Sequence, residues 1–202
     1  LALSTVRNAR STKATMRGSG NHITRLEDDL TDLVRAFKDG DRDAFRTLYD
    51  FFQTPIYRFC RHMIADEAMA KDAFQETFIR MYEHRMELRG ENVRSWLFTI
   101  ARRVCLNQLR TRRSAHIEFD ETFHANPEPV ERDVVLKERI DKALEQLPMT
   151  LREALVLREY EGHSYQEIAA LVGIDLSLAK VRVYRARLLM RKLLAGVVLQ
   201  ER

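Results

Sequence analysis

Cysteine, proline and glycine are scarce: 2, 4 and 7 residues in a chain of 202. The two thiols, Cys60 and Cys105, are far apart and outside any C-x-x-C pair, which argues against a disulfide scaffold or a thiolate zinc cluster. Each lies in an apolar helical pattern, so a reduced, buried thiol is expected. His22, His62, His84, His116, His124 and His163 fall at no metal-ligand spacing, so neither metal nor cofactor is expected. There is no Gly-rich phosphate loop, no H-E-x-x-H and no nucleophile elbow, and nothing marks an enzyme. No apolar run approaches the roughly 20 residues of a membrane span, and the opening LALSTVRNAR lacks a signal-peptide core. A cytoplasmic protein without membrane insertion is the expectation. Leu1 rather than Met stands first, with Met16 an internal candidate start. Strand-like alternation of Val, Ile and Thr is nearly missing while helical spacing recurs, so the expected fold class is all-α.

What the chain has in quantity is charge. Lys and Arg number 34 against 30 Asp and Glu, a net +4, beside a 45% hydrophobic content that supports real cores. That excess is compatible with nucleic acid without requiring it; the distribution says more. Residues 1–25 carry Arg7, Arg10, Lys13, Arg17 and Arg25, no acid, and Gly18-Ser19-Gly20, the pattern of a flexible basic tail. Residues 114–131 carry Glu118, Asp120, Glu121, Glu128 and Glu131, two prolines and no Lys or Arg, the pattern of an extended acidic linker. The expected organisation is a helical module over 26–113, the linker, a smaller helical module over 132–195, and a tail over 196–202.

In the first module, Leu26, Leu30, Leu33, Val34 and Phe37 form one amphipathic helix ending near Gly40. Phe45, Leu48, Phe52, Ile56, Phe59, Cys60 and Met63 continue through a second, in which Pro55 is a candidate kink. Asp66 opens a third, with Ala73, Phe74, Phe78, Met81 and Tyr82 at helical spacing, followed by a polar loop from His84 to Asn92. The next helix buries Val93, Trp96, Leu97, Ile100 and Val104. On another face it gathers Arg102, Arg103, Arg110 and Arg113 within about 100°. It holds no acid between Asn92 and Ile117, so like-charge repulsion along the strip calls for an anion, and nucleic acid is the favoured one. Trp96, Phe74 and Tyr82 are expected in the core rather than at a binding surface.

The second module ends in SYQEIAALVGIDLSLAKVRVYRAR, from Ser164 to Arg187. Ser164 and Glu167 have capping-box spacing, Gly173 stands where positive φ ends a helix, and Asp175 is an N-cap candidate for the next. This is the layout of a DNA-binding helix-turn-helix. On the second helix Ala179, Val183, Ala186, Met190 and Leu193 face inward, and Ser177, Val181, Tyr184 and Leu188 face out. Lys180, Arg187 and Arg191 flank the outer face on one side, Arg182 and Arg185 on the other, as groove-wall phosphates would require. Ser177, Leu178, Val181 and Arg182 are the base-reading candidates, Arg182 for a guanine, Val181 or Leu178 for a thymine methyl.

Three segments together resemble a bacterial sigma factor of the extracytoplasmic-function (ECF) group. DAFQETFIRMY (Asp72–Tyr82) resembles the family's core-polymerase-binding helix, and SWLFTIARRVCLNQLR (Ser95–Arg110) its promoter-melting helix. LEQLPMTLREALVLREYEGHSYQEIAALVGI with KVRVYRAR resembles its reader domain. The resemblance implies sigma region 2 over 26–113 and sigma region 4 over 132–195. It implies docking on the clamp and flap of core RNA polymerase, with Asp72, Gln75, Glu76, Phe78 and Arg80 on the clamp. It implies minus-ten promoter contact through Arg89, Asn92, Arg102, Arg103, Asn107, Arg110 and Arg113, the loop over His84–Asn92 capturing an unstacked base. It implies minus-thirty-five contact through Ser177, Leu178, Lys180, Val181, Arg182, Tyr184, Arg185 and Arg187. The implied linker threads the polymerase cleft towards the RNA exit path, the implied location is cytoplasmic and nucleoid-associated, and an anti-sigma factor is a common partner in the family. Two places depart from the family pattern. Arg103 stands where Asn is usual, and Ser-Leu-Ala-Lys-Val-Arg (177–182) replaces the usual Gly-Thr-Val-Lys-Ser-Arg.

The alternative is a dimeric helix-turn-helix regulator acting without core polymerase, which accounts for the C-terminal half but not for the arginine strip or the linker. A helical RNA-binding or adaptor protein is a further alternative, distinguished by sequence-blind, salt-dependent binding.

Overall fold

The computed structural model describes residues 30–90, 92–115 and 132–198, all of its regular structure helical. The basic tail over 1–25, the linker acids Glu118 to Glu131 and residues 199–202 lie outside the described residues. Helix α1 covers 30–38 and stops at Gly40, whose φ of 88° only glycine adopts without strain. Helix α2 spans Arg42–Met63, with Asp41 as N-cap accepting from the Ala44 N–H at 2.8 Å. It runs through Pro55 without interruption. Helix α3 spans Glu67–Glu83, capped by Asp66 through the Met69 N–H at 2.9 Å. The expected polar loop contains a 3-10 turn, Arg85–Glu87, and then Leu88, which is buried and pins the loop to the core. Helix α4 spans Val93–Ala115, two residues past the expected end at 113.

The core of this module interleaves α1 to α4. Phe59 and Phe98 meet edge to face at 5.4 Å, and Tyr49 and Phe78 lie 4.6 Å apart. Such aromatic pairs add roughly 0.5–1.5 kcal/mol each beyond their buried area. Trp96 packs edge-on to Phe37 at 6.4 Å, a core role. Tyr82 differs from expectation: its ring touches Phe45 at 5.5 Å but lies at the core's edge, 37% exposed. The Cys60 and Cys105 thiols are free, buried and 3.7 Å apart between α2 and α4.

Helix α5 spans Arg132–Glu145 and α6 Met149–Leu155, the latter continuing as a π-helical stretch, Val156–Tyr160. Helices α7 (Tyr165–Val172) and α8 (Leu176–Val198) form the helix-turn-helix. Both halves of the capping box are made: Glu167 N–H donates to Ser164 Oγ at 3.2 Å, and Ser164 N–H to Glu167 Oε2 at 2.8 Å. Gly173 takes φ 78° at the turn, and Asp175 Oδ1 accepts from the Leu178 N–H at 2.8 Å. Helix α8 continues to Val198, beyond the expected boundary at 195.

The two modules pack against each other through a shared core and a polar junction. Arg152, buried, donates to the Met63 carbonyl of α2 at 3.2 Å and to the Glu145 and Leu147 carbonyls at the end of α5. It thereby satisfies helix C-terminal acceptors from both modules. Arg58 grips the buried Glu161 carboxylate in a fork at 2.8 and 3.0 Å and the Tyr160 carbonyl at 3.0 Å. Phe98 of α4 meets His163 edge to face at 4.8 Å.

Candidate nucleic-acid and polymerase interfaces

Helix α3 divides cleanly into two faces. Ala70, Ala73, Thr77, Phe78 and Met81 are buried, so the opposite side carries Asp72, Gln75, Glu76 and Ile79. Glu76 accepts from Arg80 Nε at 2.5 Å, an i,i+4 pair that sets both side chains. Asp72, Gln75, Glu76 and Arg80 thus share one accessible surface. Phe78 does not: at 5% exposure, wedged against Tyr49 and Phe74, it supports the helix from beneath. Its expected place on the polymerase contact is corrected by helix phase, because it falls on the same side as Ala70 and Met81. The apolar residue presented there is Ile79, 53% exposed, with Met86 nearby in sequence at 69%. Sequence reading missed both; a helical wheel phased on Asp72 and Gln75 places Ile79 with them.

An open groove of about 570 Å³ runs between α3 and α4, lined by Asp72, Glu76, Arg80, Asn107, Thr111 and Arg112 among others. Arg103 and Arg110 are exposed, and α4 carries Arg113 in its last turn. Asn92 is exposed too, but its Oδ1 already accepts from the Ser95 N–H at 3.0 Å and caps α4. Arg89 is exposed in the preceding loop. Arg102 departs from the expected strip: it is drawn towards the second module, where its guanidinium donates to the Glu153 carboxylate. Glu153 is 2% exposed, and burial raises its pKa while the Arg102 hydrogen bond and charge pull the other way.

On α8, Ala179, Val183 and Ala186 are buried and small, so the helix sits close on its own module. Ser177, Leu178, Lys180, Val181, Tyr184, Arg185, Arg187 and Leu188 are all exposed. Arg187 pairs with Glu159 at 2.5 Å. Arg182 is half-buried and close enough to Glu153 for its charge to lower that carboxyl's pKa. Arg102 supplies the hydrogen bonds to this buried carboxylate, and Arg182 adds only a smaller favourable charge.

A family profile described as Sigma-70 region 2 matches residues 48–115, and one described as Sigma-70, region 4 matches 137–190. RNA polymerase sigma factor CarQ of Myxococcus xanthus is 33% identical over 173 residues, 83% of this chain and 98% of that protein. The ECF RNA polymerase sigma-E factor of Escherichia coli is 30% identical, covering 80% of this chain and 93% of its own length. The chain belongs to the ECF family of RNA polymerase sigma factors. The solved Bartonella quintana sigma factor RpoE, in complex with the anti-sigma factor NepR, superposes with a TM-score of 0.64 at 28% identity, covering 75% of this chain and 96% of that one. The structure of CnrH, solved with the cytosolic domain of CnrY, shares the fold with a TM-score of 0.66. As a sigma factor the chain is a transcription-initiation subunit, and the regulator acting without polymerase is not favoured: both modules, not the helix-turn-helix alone, match the family. Among the described residues, no helix is long and apolar enough to cross a membrane.

Proposed function

We propose that this sigma factor docks on core polymerase through the α3 face of Asp72, Gln75, Glu76, Ile79 and Arg80. The clamp is the expected receptor there, with the second module on the flap. In this reading the minus-ten element is opened along α4, through Arg89, Asn92, Arg103, Asn107, Arg110 and Arg113, with Arg102 joining once it leaves Glu153. Unpairing costs a few kcal/mol per base, offset by a base pocket and by cations that track the single strand. The minus-thirty-five element is read along α8, through Ser177, Leu178, Lys180, Val181, Tyr184 and Arg185, with Arg182 and Arg187 towards the groove walls. The observation that carries the reading is the pairing of an acid-free arginine helix on one module with a basic, outward-facing reader helix on the other.

Promoter elements some 25 base pairs apart lie roughly 85 Å apart along B-DNA at 3.4 Å per pair. The Arg102–Glu153 contact holds the two modules side by side, so promoter engagement requires the junction to part. An anti-sigma factor is the natural partner of the closed form, by analogy with the complex of the Bartonella quintana sigma factor with NepR. The protein acts in the cytoplasm, on the nucleoid, without catalytic chemistry of its own.

Run-off transcription with purified core polymerase on a genomic fragment library tests the proposal. Discrete starts that depend on the protein are expected, each preceded by a shared pair of elements. Tight, sequence-specific duplex binding without core polymerase, and no new starts, would favour a conventional regulator.

A further inference from the structure

The reading face of α8 is unusual for a DNA helix in what stands at its centre. Asp175 fixes the start of the helix, so the phase of each side chain follows at about 100° per residue. With Ala179, Val183 and Ala186 buried on one side, the opposite direction runs along Ser177, Val181, Tyr184 and Leu188, with Leu178 beside them. Leu178 is 37%, Val181 39% and Tyr184 63% exposed. Val181 therefore stands at the centre of the first turns, between Ser177 and Tyr184, with Leu178 to one side near Arg185 and Lys180 on the other.

The guanidiniums stand away from the middle of this face. Arg182 lies on the flank, half-buried, and Arg187 is paired at the surface with Glu159. Lys180 and Arg185 are exposed to either side of Val181, placed for the phosphates of both groove walls. A reader helix meets base edges with its N-terminal turns, here the turns that hold Leu178 and Val181.

An aliphatic side chain pressed on a base edge discriminates in two ways. It gains apolar contact with the C5-methyl that thymine alone presents in the major groove. It also covers the O6 and N7 of guanine or the amino groups of adenine and cytosine without replacing their hydrogen bonds with water, which is unfavourable. We propose that this sigma factor selects its upstream element by direct contact of Val181 and Leu178 with thymine methyl groups. This rests on α8 being the upstream reader.

The test uses holoenzyme formed from core polymerase and the full-length chain. Duplexes are selected from a pool randomised across the upstream element, and selected sequences are expected to fix thymine, on either strand, under the first turns of α8. Each such thymine is then replaced by deoxyuridine, which lacks only the methyl. About fourfold weaker binding per contacted methyl is expected, equivalent to ~0.8 kcal/mol. Val181→Ala and Leu178→Ala are each expected to bring the thymine-to-uracil ratio towards one at a single position; both sites are exposed, so the fold is retained. Equal binding of thymine and uracil at every position, or elements made only of G·C pairs there, would overturn the proposal. Selection of a downstream element with no upstream preference at all would instead refute α8 as the reader. In that case the apolar ridge would be a protein-docking surface.

Discussion

Arg102 of the first module donates to the carboxylate of Glu153 in the second, and Glu153 has almost no contact with solvent. A carboxylate so placed is tolerated because a guanidinium meets it; removing one partner leaves an uncompensated charge.

Arg102→Met is therefore expected to destabilise the folded protein by about 3–5 kcal/mol. The double variant Arg102→Met/Glu153→Leu is expected to recover most of that loss. Urea unfolding of both single variants and the double closes the cycle. Additive effects, with a coupling below about 0.5 kcal/mol, would show that the contact is not energetically real.

His163 gives the junction a pH dependence. Its ring is buried against Phe98, and neither nitrogen has a hydrogen-bond partner. Burial first, then the Arg94 charge, pushes its pKa down from 6.5 to about 4, with Glu167 opposing. Between those values the unfolded chain holds a proton that the folded chain does not, so this contribution is present above pH 6.5 and lost as pH falls towards 4. Glu153, whose pKa is raised, works with the opposite sign above the ordinary carboxylate range. The His163 contribution from pH 7.5 down to 5 amounts to a loss of about 2 kcal/mol. Denaturant midpoints at both pH values should show a smaller acid loss in His163→Leu than in the parent; an identical slope would remove His163 from the explanation.

Neighbours on α3 are expected to behave oppositely. Phe78→Ala should cost about 3–5 kcal/mol of stability, since it empties a buried ring site. Ile79→Glu and Asp72→Lys should leave the melting temperature nearly unchanged while weakening core-polymerase binding at least tenfold. Calorimetry paired with a core-binding titration separates them. Unaltered affinity in both surface variants, with native circular dichroism, would move the docking face elsewhere.

Arg182→Ala should weaken binding to all duplexes about equally and lower the salt slope by about one, as for a lost phosphate contact. A specific loss of 1–3 kcal/mol at one guanine, with other sequences unaffected, would return Arg182 to base reading.

The local signals were legible because they are short-range. Ser164 with Glu167, Gly173, and Asp66 and Asp175 act on backbone within a turn or two of themselves, and each does what its chemistry demands. Periodicity likewise exposed the inward face of α8, since small buried residues recur at 3.6-residue spacing whatever they pack against. Phase on α3 was legible too, though it was missed: Phe78 falls on the side of Ala70 and Met81, where Tyr49 and Phe74 close over it, and Ile79 falls with Asp72 and Gln75.

By itself the sequence determined the main helices, the caps at Asp66, Ser164 and Asp175, the two-module order and the basic character of α4 and α8. Tertiary structure alone decided that Arg102, read as part of a DNA-facing strip, turns to Glu153. The reason is range. A cap or an amphipathic stripe is written within a few residues, whereas a buried carboxylate chooses its cation from whatever the fold brings beside it, here across 51 residues of chain.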